Sequence, residues 1–329
     1  MKNSITDVPG IEIGHAQDAD ALTGCTVLIC RKGAVAGVDQ RGGAPGTRET
    51  DLLSPVNLIS KIHALLLSGG SAFGLDAATG VMRYLEEQKI GFDVSVAHVP
   101  IVPAAVLFDL AIGRADIRPD AAMGYEAAEA ASAENAATGN LGAGMGATVG
   151  KILGMQNAMK AGLGTASIEI GGGIIVGAIV AVNAFGDVID PQKNTVLAGA
   201  RSAQVGPLKI GEEGKFADTL HVMQTLAGRT VMKIAGRGNT VIGAVATNAK
   251  LSKTEATKVA QMAQDGLART IRPAHTMLDG DTIFALSTGN KKADISIIGA
   301  FAAEAMAQAI LRGAREAESA GGLLGLKGN

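Results

Sequence analysis

The most strand-like stretch of the sequence is Thr240-Val241-Ile242-Gly243-Ala244-Val245-Ala246-Thr247, an unbroken run that is mostly apolar and rich in β-branched residues. A run of this kind predicts a strand, and the lack of polar alternation indicates that both faces are covered. Ser252 and Glu255 follow at the spacing of a capping box, which predicts a helix that runs to about Thr270. A buried strand that leads into a capped helix is typical of an α/β fold.

Strand-like and helix-like segments alternate along the rest of the chain as well. Apolar runs between glycine turns predict strands at 26–29, 34–38, 63–67 and 282–287, and a strand pair at 168–182 around Gly171-Gly172-Gly173. Helical spacing and composition predict helices at 75–87, 121–137 and 295–317, the last one capped by Asp294. Over 190–229 the pattern weakens and the charge rises, which indicates a connecting segment. The mixture predicts an α/β or α+β fold with covered sheets.

The composition argues against several classes of function. The chain has 329 residues, 47% of them hydrophobic, and a formal net charge of -2. This balance gives no electrostatic basis for binding nucleic acid or an anionic membrane surface. Only 3% of the residues are aromatic, so stacking platforms for bases are scarce. We therefore expect neither nucleic acid nor a membrane among the partners.

The chain is long enough to bury a sizeable core without a metal or a disulfide, as one large domain or two ordinary ones. Its two cysteines, Cys25 and Cys30, lie five apart on an apolar run, so a strand would place them on opposite faces as buried free thiols. The N-terminus lacks the apolar core of a signal peptide, and the most apolar stretch, 171–182, is shorter than the roughly 20 residues that span a bilayer. These features predict a soluble, cytoplasmic protein.

No local motif predicts a metal or an organic cofactor. The five histidines are scattered without the spacing of metal ligands. The glycine cluster that ends at Lys151 departs from a phosphate-binding loop, because Met145 and Ile152 stand where that loop needs a glycine and a Ser or Thr. Asp279-Gly280-Asp281 and Asn239-Thr240 are, taken alone, ordinary turns.

A larger pattern changes the interpretation of those two turns. The segment Gly238-Asn239-Thr240-Val241-Ile242-Gly243-Ala244-Val245-Ala246-Thr247-Asn248-Ala249 resembles the self-cleavage segment of the L-aminopeptidase/D-esterase family. That family includes β-aminopeptidases and hydrolases of aminohexanoate (nylon) oligomers. Four further blocks resemble its other signatures in the same order: Val8-Pro9-Gly10-Ile11-Glu12-Ile13-Gly14-His15, Leu66-Leu67-Ser68-Gly69-Gly70-Ser71-Ala72-Phe73-Gly74-Leu75, Gly142-Ala143-Gly144-Met145-Gly146-Ala147-Thr148-Val149-Gly150-Lys151 and Val182-Asn183-Ala184-Phe185-Gly186-Asp187-Val188. The resemblance spans nearly the whole chain.

The resemblance implies an α/β fold of the four-layer αββα sandwich type, like that of N-terminal-nucleophile hydrolases but with different connectivity. It implies a single domain, 1–329, that cleaves itself after Asn239 into a large part, 1–239, and a small part, 240–329, which carries the nucleophile Thr240. The two parts are expected to stay packed together. A homo-oligomer, with a tetramer as one form, is expected from the family.

The chemistry of such a cut follows from the properties of threonine. A hydroxyl inside a chain is a poor nucleophile at neutral pH. If the Thr240 hydroxyl reaches the preceding carbonyl, an N-to-O shift gives an ester that water then breaks. The cut frees the α-amine of Thr240, and because an α-amine in a peptide has a pKa of about 7.7–8.0, it suits a general base for its own hydroxyl. One residue then supplies both nucleophile and base, so cleavage and activity are linked.

Family resemblance also assigns the remaining site residues. The carboxamide of Asn183 is expected to donate to the oxyanion. Lys151 resembles a lysine near the nucleophile in the nylon-oligomer branch, where it lowers the pKa of the amine or holds the substrate carbonyl; a solvated lysine at a strand end is the alternative. Asp279 and Asp281 resemble that branch's acidic pair, which orients the Thr240 hydroxyl and amine. The wider family often has Ser-x-Glu at this pair, so Asp-Gly-Asp favours oligomer hydrolysis over strict aminopeptidase specificity.

The predicted function is therefore hydrolysis of amide bonds in small peptides or aminohexanoate-type oligomers, through an acyl-threonine intermediate and without a metal or cofactor. One alternative is an acyltransferase of the ornithine-acetyltransferase type, which shares the architecture and a self-generated N-terminal threonine. Its threonine-rich oxyanion segment is not evident in this sequence. The other alternative is a non-catalytic binding scaffold that never cleaves.

Overall fold

The computed structural model of the chain describes residues 1–205, 208–211, 216–225, 228 and 238–328. Within these residues the strands, in chain order, are β1 (Glu12–Asp18), β2 (Thr23–Gln40), β3 (Thr47–Arg48), β4 (Ile62–Ser68), β5 (Phe92–Asp93), β6 (His98–Val99), β7 (Ala104–Val106), β8 (Thr148–Val149), β9 (Met159–Lys160), β10 (Leu163–Glu169), β11 (Ile175–Asn183), β12 (Asp187–Asp190), β13 (Thr195–Ala198), β14 (Ala203–Val205), β15 (Leu208–Ile210), β16 (Thr240–Ala249), β17 (Ile271–Arg272) and β18 (Thr282–Lys291). The α-helices in the same residues are α1 (Ala77–Glu87), α2 (Ala121–Glu129), α3 (Thr219–Gln224), α4 (Lys253–Thr270) and α5 (Ile295–Arg315).

The main sheet is continuous but folds into two layers along the long strand β2. The first half of β2 pairs with β1 and β4, and β7 and β3 extend this layer. The second half of β2 pairs with β18, and this layer continues through β16 and β11 to β10. The separately predicted strands 26–29 and 34–38 both belong to β2. Between them, at Ile29 to Ala34, the pairing register of β2 with β4 shifts.

Each layer has an inner face toward the other layer and an outer face toward helices, because successive side chains of a strand point to opposite sides. Ile242 of β16 and Leu65 of β4 lie in one buried cluster between the layers. Their neighbours face outward: Val241 packs in a cluster with α4 and α5, and Leu66 packs in a cluster with α1 and α2. The order helix, sheet, sheet, helix confirms the predicted αββα sandwich. Cys25 and Cys30 are free, buried and on opposite faces, as predicted.

Small residues let the layers approach closely. A Cβ at Gly164 of β10 would lie 1.9 Å from the carbonyl oxygen of Ala309 in α5. A Cβ at Gly14 of β1 would lie equally close to the carbonyl oxygen of Ala127 in α2, at 1.9 Å. At both positions any side chain would push a helix away from its sheet, which gives a packing reason for glycines inside apolar strands.

Helix ends follow local capping signals where nothing else competes. The capping box of Ser252 and Glu255 is formed at the start of α4, and Asp294 accepts backbone hydrogen bonds at the start of α5. The predicted helix 121–137 is wrong in its second half, since α2 ends at Glu129. The backbone of Ser132 instead exchanges hydrogen bonds with Ile13 at 3.0 and 3.1 Å, so pairing with β1 overrides helix propensity.

Two further segments differ from the sequence-based expectation. The described part of 190–229 contains three short strands, β13 to β15, and the helix α3, so it is more structured than a plain connecting segment; the rest lies outside the described residues. Among the described helices, α5 is long and apolar enough to cross a membrane by composition. Half of its most apolar window is buried against the rest of the protein, as in a core helix of a globular fold.

The sandwich brings three chain segments together at one edge, which is the side of the sheet where β11 ends and where β16 and β18 begin. Asn183, the last residue of β11, pairs with Thr240, the first residue of β16. Strand β18 runs parallel to β16 and begins at Thr282, directly after Asp281. An isolated parallel bridge joins Asn239 to Asp279. The edge therefore collects the residues that the sequence singled out from segments far apart in the chain.

Candidate active site

The bond between Asn239 and Thr240 lies at the centre of this edge and is almost fully enclosed. Thr240 is 4% exposed and Asn239 is 2% exposed. The hydroxyl of Thr240 donates a hydrogen bond to the carbonyl oxygen of Asn239. The nucleophile predicted from the sequence is thus held against the peptide group that precedes it.

Asn183 is fully buried, and both ends of its carboxamide are bound. Its Oδ1 accepts hydrogen bonds from Lys151 Nζ at 2.7 Å and from the backbone N–H of Thr148 at 3.1 Å. Its Nδ2 donates to the carbonyl oxygen of Phe108 at 2.9 Å. These contacts fix which end of the amide is the donor, and an amide nitrogen carries a second N–H beyond the one that Phe108 accepts.

Lys151 is buried rather than solvated, so the alternative of a surface lysine is wrong. It follows β8 by two residues, and its Nζ donates to both the backbone oxygen and the Oδ1 of Asn183, at 3.1 and 2.7 Å. The carbonyl oxygen of Gly238 lies 3.5 Å away. Burial lowers the pKa of Lys151 to about 7, and the carboxylates of Asp279 and Asp109 act in the opposite direction. A cation next to the cleavage segment is therefore able to exchange a proton near neutral pH.

Asp279 is buried beside the same segment. Its Oδ1 accepts the backbone N–H of Phe185 at 3.1 Å, and its Oδ2 accepts the backbone N–H and the hydroxyl of Thr276. Burial raises the pKa of Asp279, with the neighbouring Asp281 carboxylate adding to the effect, while the hydrogen bonds and Lys151 oppose it. The carboxyl group therefore holds its proton more tightly than a solvated aspartate does.

Asp281 links the nucleophile strand to a histidine. Its Oδ1 accepts the backbone N–H of Val241 at 2.8 Å, and its Oδ2 lies 2.8 Å from His275 Nδ1 and accepts the His275 backbone N–H at 3.0 Å. In the uncleaved chain Asp281 thus binds the backbone of the residue that follows Thr240. The predicted role of Asp279 and Asp281 in orienting the Thr240 hydroxyl and amine stays a prediction, because that amine exists only after cleavage.

Two residues of this site were missed in the sequence. His275 is one of several scattered histidines, and its signal for a local contact is its position six residues before Asp281, in a loop with Pro273. Phe108 gave no signal, because its contact with Asn183 joins residues 75 apart in sequence. Among the described residues, no three His, Cys, Asp or Glu side chains form a group that would hold a metal ion.

A cavity of about 530 Å³ opens next to Thr240. The residues that line it, among those that the structure describes, are uncharged and largely apolar. Besides Thr240 they are Ala44, Pro45, Gly46, Ser71, Ala72, Val106, Leu107, Phe108, Gly238, Asn239, Met277 and Leu278. A smaller cavity of about 190 Å³ lies on the Lys151 side, and it shares Phe108, Gly238 and Asn239 with the first. The cleavage segment therefore separates two neighbouring spaces.

Comparison with known proteins finds similar sequences over nearly the whole chain. The sequence profile of peptidase family S58 matches residues 3–327. The chain is 44% identical to an uncharacterised aminopeptidase of Mycobacterium leprae, over 98% of this chain and 92% of that protein. It is 31% identical to a 6-aminohexanoate-oligomer endohydrolase of Agromyces sp., over 93% of this chain and 84% of that protein.

Solved structures support the same fold. A Burkholderia β-aminopeptidase superposes with a TM-score of 0.70 at 22% identity, covering 99% of this chain and 91% of that one. An L-aminopeptidase D-Ala-esterase/amidase from Ochrobactrum anthropi, a variant of the N-terminal-nucleophile hydrolase fold, gives 0.71 at 17% identity, covering 96% and 87%. Because the profile and the relatives extend over nearly the whole sequence, the hydrolase prediction is favoured over the acyltransferase and the scaffold. We conclude that this chain belongs to peptidase family S58 and is a hydrolase of peptide or amide bonds.

Proposed function

We propose that the protein cleaves itself between Asn239 and Thr240 and then uses Thr240 as the nucleophile for amide hydrolysis. The observation that carries this proposal is the hydrogen bond from the Thr240 hydroxyl to the carbonyl of Asn239, inside a buried site. In the first step Oγ1 adds to the carbonyl carbon of Asn239, the C–N bond breaks, and the hydroxyl proton ends on the freed amine. Water hydrolyses the ester, leaving the carboxylate of Asn239 and the restored hydroxyl.

The two products are a large part, 1–239, and a small part, 240–329. Strands β11 and β16, one from each part, pair along their length, which supports their staying together. In turnover the amine of Thr240 takes the proton of its own hydroxyl as Oγ1 attacks the substrate carbonyl. The acyl group moves to Oγ1, the substrate amine leaves with a proton, and water releases the acid.

Asn183 and Lys151 have complementary roles in this scheme. Lys151 binds the oxygen end of the Asn183 carboxamide, so the nitrogen end stays available as an oxyanion donor. Asp281 holds the backbone of Val241 and thereby the start of the nucleophile strand. A pKa of about 7 lets Lys151 carry or release a proton at the pH where the amine works.

We propose neutral, flexible amide chains as substrates, such as aminohexanoate-type oligomers, with small peptides as the wider class. The uncharged, apolar walls of the larger cavity suit the methylene spacers of such chains. A strict aminopeptidase needs an anionic group to bind the substrate's free amine, and the described lining offers none. Cleavage inside a chain is therefore favoured over cleavage from the amino end. A homo-oligomer and a cytoplasmic location stay predictions.

Denaturing electrophoresis and a pair of substrates test these proposals. We expect two bands for the purified protein and one for Thr240→Ala, and we expect amide hydrolysis only from the cleaved form. An aminohexanoate trimer and its N-acetylated form should be hydrolysed at comparable rates. Cleavage that survives in Thr240→Ala would remove the mechanism, whereas loss of activity on the acetylated trimer alone would remove only the preference for internal bonds.

A further inference from the structure

The carbonyl oxygen of Asn239 accepts a second hydrogen bond, and this one comes from the backbone. The N–H of Gly280 donates to it at 2.9 Å, beside the bond from the Thr240 hydroxyl. When Oγ1 of Thr240 adds to the carbon of this group, the same oxygen becomes the oxyanion. The Gly280 N–H therefore already points at the atom on which negative charge develops.

The peptide group that supplies this N–H is held from both ends. Its carbonyl oxygen, that of Asp279, accepts the backbone N–H of Ala44 at 2.8 Å. The side chains on either side are anchored as well, Asp279 to Phe185 and Asp281 to Val241. A donor fixed in this way needs no reorganisation as the charge forms, which is the property that makes oxyanion donors effective.

Position 280 has room for glycine alone. A Cβ there would lie 2.5 Å from the carbonyl oxygen of Ala44 and 2.9 Å from Oγ1 of Thr240. The close approach of the backbone to the nucleophile, rather than an unusual backbone angle, explains the glycine between the two aspartates.

We propose that the N–H of Gly280 is an oxyanion donor of this site, first for self-cleavage and then for substrate hydrolysis. The inference rests on the proposed function, because the self-cleavage ester and the acyl-enzyme are both carried on Oγ1 of Thr240. The carbonyl of Asn239 marks the place that the substrate carbonyl takes after cleavage. Once the bond to Asn239 has been cut, the Gly280 N–H is left to donate at that place, in addition to the role proposed for the Asn183 amide.

Replacement of one backbone amide by an ester removes this N–H while leaving every side chain in place. Glycolic acid, introduced at position 280 during cell-free synthesis, gives the test protein. Lactic acid at position 44 gives the matched control, since it removes the N–H that binds the Asp279 carbonyl and keeps the Gly280 donor. Both proteins lose one backbone hydrogen bond of the same peptide group, and their thermal unfolding is compared first.

We expect the position-280 ester to slow self-cleavage by about 10²–10³-fold relative to the position-44 ester, and to lower kcat of the cleaved fraction with little change in KM. Equal cleavage rates for the two esters, with similar unfolding temperatures, would overturn the inference and leave the proposed function intact. If the position-280 ester unfolds far below the control, the rates are compared at a lower temperature at which both proteins are folded, and equal rates there would also overturn it. A wild-type chain that never cleaves would instead remove the proposed function.

Discussion

Two substitutions distinguish the donor role of the Asn183 carboxamide from its acceptor role. Asn183→Ala removes both the Nδ2 donor and the Oδ1 acceptor, whereas Asn183→Asp removes the donor and keeps an acceptor for Lys151 and Thr148. Loss of one oxyanion donor lowers kcat by about 10²–10³-fold, so both variants should lose most turnover. Only Asn183→Ala removes the Oδ1 acceptor, so the buried N–H of Thr148 loses its partner while Lys151 keeps the backbone oxygen of residue 183 at 3.1 Å. An unsatisfied buried group costs about 1–3 kcal/mol.

Chromogenic amide hydrolysis and urea unfolding measure these two effects independently. We expect both variants to cleave themselves, more slowly than the wild type, because the Gly280 N–H still binds the carbonyl of Asn239. The free energy of unfolding should fall for Asn183→Ala, and for Asn183→Asp as well, because the new carboxylate oxygen faces the Phe108 carbonyl that Nδ2 bound at 2.9 Å. Turnover of Asn183→Ala within a few-fold of the wild type would refute the oxyanion role of Asn183.

Three further outcomes are expected. In the uncleaved Thr240→Ala background, stability should rise with pH from about 7 toward about 9, and Lys151 should contribute about 1 kcal/mol per pH unit of this rise. Burial lowers its folded-state pKa to about 7 from 10.5, so unfolding takes up a proton in this range. Burial also lowers the pKa of Lys160 to about 7, so Lys151→Met should reduce the slope in urea titrations without abolishing it, and an unchanged slope would contradict the buried-lysine assignment. Cys25 and Cys30 should resist a thiol reagent in the folded protein, since burial raises the pKa of each thiol to about 12; rapid labelling under native conditions would show that they are accessible. Asp294→Ala should cost about 1 kcal/mol of stability by removing the cap of α5 and leave kcat unchanged, and a drop in kcat would link that cap to the site.

Local sequence patterns predicted the elements whose structure is decided locally. The strand at Thr240 and the capped helix after Ser252 follow from an apolar run and a capping box, and both appear with the expected starts. The helix predicted over 121–137 fails beyond Glu129 because a distant strand competes for its backbone, and a local pattern does not contain that competitor.

The site was predictable in part, and only through family resemblance. Asn183, Thr240 and Asp279 are scattered in sequence, and the pairing of β11 with β16 and of Asn239 with Asp279 is what brings them together. Burial of Lys151 depends on the whole edge, so its local sequence was equally consistent with a solvated side chain. The Gly280 donor is a backbone group, and residue identity alone does not indicate where a backbone N–H points.

Intact mass spectrometry of the purified, active protein is the most direct measurement of whether Thr240 becomes an N-terminal nucleophile. We predict two masses, those of 1–239 and 240–329, and a transient gain of one acyl group on the smaller piece during incubation with a slow amide or ester substrate. A single mass for the full 329-residue chain in a preparation that hydrolyses amides would contradict the mechanism.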